Sequence, residues 1–118
     1  MTIEAELGAN RDLPIPVDLV FIYDSSLIPT IESKSSSAWF QAKAGLIANA
    51  NGALHVMSWR VTPGQDVAET PVDAPPGAIA VYLFADYAGR NDHPLKVDGS
   101  GTLAITLGDN QASIDVAQ

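Results

Sequence analysis

The side chains of this sequence that could do chemistry are few: two histidines, fourteen acidic residues, a serine cluster between Ser33 and Ser37, and no cysteine. His93 stands in "GRNDHP" beside Asp92 and close to Asp86, residue types that can hold a divalent metal or trade protons. A hydrophilic stretch of Gly, Asn, Asp and Pro is more commonly a turn. His55 lies inside an alternating run and shares a face with Met57 and Trp59, as a packed strand residue does. The serines have neither the Gly-x-Ser-x-Gly setting of a nucleophile elbow nor a neighbouring base, so capping and solvation are their expected work. "DGSG", Asp98 to Gly101, starts like a calcium loop but lacks the later acidic ligands. The expectation is no catalytic residue, no metal and no cofactor.

One stretch points to recognition instead. "GANRDLPIP", Gly8 to Pro16, places Arg11 among polar neighbours and then Leu13 and Ile15 in a loop stiffened by two prolines. Apolar side chains shown by a stiff loop lose little entropy on binding, which suits a protein partner. The alternative is that Leu13 or Ile15 folds back on the core.

Size and composition narrow the classes further. A chain of 118 residues suits one domain, 1–118, with a core that needs neither disulfide nor metal. With 47% hydrophobic residues it is too apolar for disorder, and no apolar run approaches the roughly 20 residues that span a bilayer. A net charge of −8 repels phosphate backbones and anionic membranes, so nucleic acid is not an expected partner. Met1 to Asn10 lacks the basic start and apolar core of a secretory signal. The protein is then either cytoplasmic or has lost a leader ahead of Met1.

The elements that would position these residues are mostly strands. Ile3, Ala5 and Leu7 alternate with Thr2, Glu4 and Glu6 as a half-buried strand requires. Pro14 and Pro16 mark a connection, and "VDLVFIY", Val17 to Tyr23, is a strand apolar enough to be covered on both faces. Asp24 or Ser25 can cap a short helical turn limited by Pro29. Ser36 or Ser37 is expected to cap a helix whose Trp39, Phe40, Leu46 and Ile47 form one apolar stripe, ended by Asn51 and Gly52. Strands follow at Ala53 to Thr62, more weakly in "QDVAETPV", and at Ala78 to Tyr87, and a hairpin turns at Gly108 to Asn110. About seven strands with one helical insertion near 24–51 predict a mainly β, two-sheet antiparallel β-sandwich, the helix lying over an open edge or mouth.

The ordered set Asn10, Pro14 and Pro16 before "VDLVFIY", "AWF" opening a helix, Pro63-Gly64 closing a strand, and "AVYLFADYAGRNDHP" with Tyr87, Arg90 and Asp92 resembles the TssJ family, the outer-membrane lipoproteins of bacterial type VI secretion. The resemblance covers nearly the whole chain. It implies a transthyretin-like sandwich held at the periplasmic face of the outer membrane by an acylated cysteine. It also implies a structural adaptor without a reaction, docked onto the inner-membrane core component of the secretion complex. The loop between the first two strands, with Asn10, Arg11, Leu13 and Pro14, would be the partner-binding site. This sequence departs from the family in showing neither signal peptide nor lipidated cysteine. A competing expectation is a stand-alone module for carbohydrate or peptide, with Trp39, Trp59 and Tyr87 as an aromatic platform. Burial of Trp39 separates the two.

Overall fold

The computed structural model describes residues 1–67, 71, 75–88, 92–97 and 102–117. Among these, eight strands form: β1 (Thr2–Ala5), β2 (Ile15–Ile22), β3 (Leu54–Val61), β4 (Asp66–Val67), β5 (Ala80–Ala85), β6 (Leu95–Lys96), β7 (Thr102–Leu107) and β8 (Ala112–Ala117). They make two four-stranded sheets, ordered β4-β1-β7-β8 and β3-β2-β5-β6. All pairings are antiparallel except β1 with β7, which run parallel with Ile3 opposite Ile105.

The alternating apolar residues decide which faces meet. Ile3, Ala5, Leu103, Ile105 and Leu107 of one sheet pack against Val17, Leu19, Phe21 and Leu83 of the other, and all are buried. β2 is apolar on its other face too, because Val20 and Ile22 belong to a second cluster with Ile31, Trp39, Leu54, Tyr82 and Phe84. A strand buried on both faces loses the usual polar alternation. Pro16 lies inside this strand rather than before it, which its geometry permits. It faces the point where the chain has just left β5, and the Asp86 N–H donates to its carbonyl at 2.9 Å, so no proline N–H is required in return.

The connection from β2 to β3 holds two helices, α1 (Ile28–Glu32) and α2 (Ser36–Asn49). Asp24 caps the turn before α1, its Oδ1 accepting the Ser26 N–H at 3.0 Å, and Pro29 sits in the first turn of α1, where a missing N–H costs nothing. Ser35, one residue earlier than expected, caps α2 by accepting the Ala38 N–H at 3.3 Å. Ser36 is instead drawn to the β5–β6 loop, where both its N–H and its hydroxyl donate to the Asp92 carbonyl.

Three further expectations need correction. α2 lies over the outer face of the β3-β2-β5-β6 sheet, not over an edge or mouth, because Val20, Ile22, Tyr82 and Phe84 make that face apolar. Its stripe is also narrow: Trp39 is fully buried, Phe40 and Leu46 are half-buried, and Ile47 is exposed. Leu7 likewise leaves the alternation, since β1 stops at Ala5 and the Leu7 side chain is 85% exposed. "DGSG", Arg90 and most of "QDVAETPV" after Val67 lie outside the described residues.

Candidate partner-binding site

Strand directions gather the β1–β2, β3–β4, β5–β6 and β7–β8 connections at one end of the sandwich, while Met1 and the end of β8 lie at the other. The β1–β2 connection is a tight turn over Ala9–Asp12 in which Asn10, Arg11 and Asp12 take φ of 50°, 54° and 63°. Three consecutive non-glycine residues in the left-handed region cost of order 1–2 kcal/mol each, and such strain persists only where the surroundings over-determine it.

Asn10 supplies that constraint. It is 5% exposed, and its Oδ1 accepts the Ala88 N–H at 2.6 Å. Its Nδ2 donates to the carbonyls of Leu13 and Pro14, each at 3.2 Å, and its own N–H donates to the Asp109 carbonyl at 3.0 Å. One residue, through its side chain and its backbone, thus joins three loops. Tyr87 adds a second tie by donating to the Gly108 carbonyl at 2.7 Å. Burial, with Glu6, Asp109 and Asp92 nearby, pushes the Tyr87 hydroxyl up to about 12, and burial alone lifts the Asp86 carboxyl above its ordinary range.

Of the four residues expected to bind a partner, Arg11 and Leu13 are exposed, Leu13 to 50%, Pro14 is half-buried, and Asn10 is internal to the loop. Asn10 and Arg11 line a polar cleft of about 460 Å³ with Asp109 and Asn110. The surface offered is therefore a cation and an aliphatic side chain on a braced loop.

Sequence reasoning missed Asp18, on the outer face of β2. Its carboxylate is 1% exposed and its Oδ2 accepts from Trp39 Nε1 at 2.8 Å and Lys43 Nζ at 3.0 Å. Trp39 also stacks on Phe84, with ring centroids 5.1 Å apart. The signal was visible: a lone acid in "VDLVFIY", a run otherwise buried on both faces, must find a partner. The aromatic platform is not assembled, since Trp39 and Tyr87 are both buried, in different clusters. His55 on β3 and His93 before β6 lie at opposite margins of one sheet, and among the described residues no three metal-ligating side chains converge.

Two solved structures match nearly the whole of this architecture. The type VI secretion lipoprotein TssJ1 from Pseudomonas aeruginosa matches 99% of this chain and 93% of its own, with a TM-score of 0.70 and 17% identity. The fold is TssJ-like. Serratia marcescens Lip, a membrane-bound component of the type VI secretion system, shares it at a TM-score of 0.62 and 11% identity, covering 99% of this chain and 94% of its own. No family model matches the sequence, and no curated protein matches it significantly. The TssJ-like fold is thus kept while most side chains differ, so the loop residues have to be judged on their own geometry.

Proposed function

We propose that this protein is a structural adaptor of a type VI secretion membrane complex, held at the periplasmic face of the outer membrane and bound to the inner-membrane core component through its β1–β2 loop. The observation that carries the reading is the TssJ-like fold across 99% of the chain, with a braced loop showing Arg11 and Leu13 at the end away from Met1. An anchor on the N-terminal side would leave that loop pointing away from the membrane that holds it. Catalysis has no part in this role.

Cross-linking in the native cell, with a C-terminal tag and mass spectrometry of captured proteins and of the mature N-terminus, tests it. Capture of the inner-membrane core component together with an acylated N-terminal cysteine is the expected result. An unmodified chain with no envelope partner would overturn the proposal.

A further inference from the structure

A second feature lies on the other side of Tyr87, at the open seam between the edge strands β6 and β8. A cavity of about 390 Å³ is lined there by Leu83, Ala85, Tyr87, Leu95 and Ala112, with Asp92, His93 and Gln111 among its rim residues. Its size and its apolar floor with a few polar groups match a site for a small apolar group. Leu95, 38% exposed, extends the apolar surface outward.

Charge decides what can enter. Among the described residues no Lys or Arg lines the cavity, whereas the acid Asp92 does, and Asp92 bears on the neighbouring Tyr87 hydroxyl together with Glu6 and Asp109 from outside the cavity. Lys96 follows Leu95 but faces the other way: it pairs with Tyr82, whose side chain belongs to the outer cluster, whereas Leu95 pairs with the inward Leu83. Residues directly paired across a ladder share a face. The wall therefore sits in a negative field within a chain of net charge −8, which disfavours carboxylates and phosphates and favours an apolar group carried between cations.

We infer that this cavity anchors an aliphatic side chain from a basic segment of a protein partner. The inference does not depend on docking through the β1–β2 loop, none of whose residues lines the cavity.

The test is titration of the isotope-labelled protein, followed by amide NMR, with two blocked pentapeptides, Lys-Leu-Lys-Leu-Lys and Glu-Leu-Glu-Leu-Glu. The basic peptide should shift the amides of Tyr87, Leu95 and Ala112 saturably and bind several times tighter than the acidic one. Asp92→Asn, which removes one negative charge from the lining, should narrow that difference. Ala112→Phe or, should that variant fail to fold, Ala85→Leu fills the cavity and should remove the shifts. Equal binding of the two peptides, binding of neither, or undiminished binding to a filled cavity would each overturn the inference, as would a preference for an uncharged or anionic aliphatic compound such as hexanoate.

Discussion

The Asn10 side-chain carbonyl accepts the Ala88 N–H at 2.6 Å across 78 residues of sequence. That bond, with the two from Nδ2 to the Leu13 and Pro14 carbonyls, makes the β1–β2 loop rigid before anything binds to it. Preorganisation of this kind lowers the ordering cost of association, so Asn10 shapes recognition while Arg11 and Leu13 are the groups left to touch a partner.

Asn10→Ala should therefore destabilise the fold by about 1–3 kcal/mol, since it removes the buried side chain that accepts the Ala88 N–H and donates to the Leu13 and Pro14 carbonyls and puts Ala where φ is positive. Urea denaturation gives the stability, and faster amide exchange at Ala88 and Leu13 reports the loosened loops. Unchanged exchange there would show that the loops are braced by something else.

On the outer face, Trp39→Ala should cost about 3–5 kcal/mol by emptying the space under α2. Trp39→Phe keeps the stack on Phe84 but removes one donor to Asp18 and should cost about 1–3 kcal/mol. Lys43→Met removes the other donor from a buried carboxylate, and its cost should stay below the roughly 3–5 kcal/mol of a fully buried pair, because the Lys43 side chain is 32% exposed. Chemical denaturation orders the three, and a Trp39→Ala protein as stable as wild type would refute the docking of α2 through this one ring.

Tyr87 gives a pH prediction. Its hydroxyl is raised from 10.0 to about 12, so the folded state favours the protonated form. The stability this contributes is full below pH 10 and is lost as pH rises toward 12. Absorbance titration at 295 nm should show one of the three tyrosines ionising near 12, and Tyr87→Phe should delete that step while costing about 1 kcal/mol for the lost bond to Gly108. The step persisting in Tyr87→Phe would assign it elsewhere.

The strands were legible because their apolar residues alternate or run together: Leu103, Ile105 and Leu107 announce β7, and Val17 to Ile22 announce a strand covered twice. The parallel pairing of β1 with β7 was not, because a period of two says which face a side chain takes and nothing about its neighbour's direction. The position of α2 depended on Val20, Ile22, Tyr82 and Phe84 sharing one outer face, which only the pairing of β2 with β5 reveals. Of the loop residues, Leu13 was recognisable as an exposed aliphatic group in a stiff turn. The role of Asn10 rests on contacts with Ala88 and Asp109 that no local pattern encodes.

The most direct measurement is calorimetric titration of the purified chain with the periplasmic region of the inner-membrane core component from the same secretion system, for wild type, Arg11→Glu and Leu13→Asp. The account predicts saturable binding by wild type, a loss of about tenfold or more in each variant, and melting curves that coincide, since both side chains are exposed. Undiminished affinity in both variants, or no binding by wild type, would contradict it.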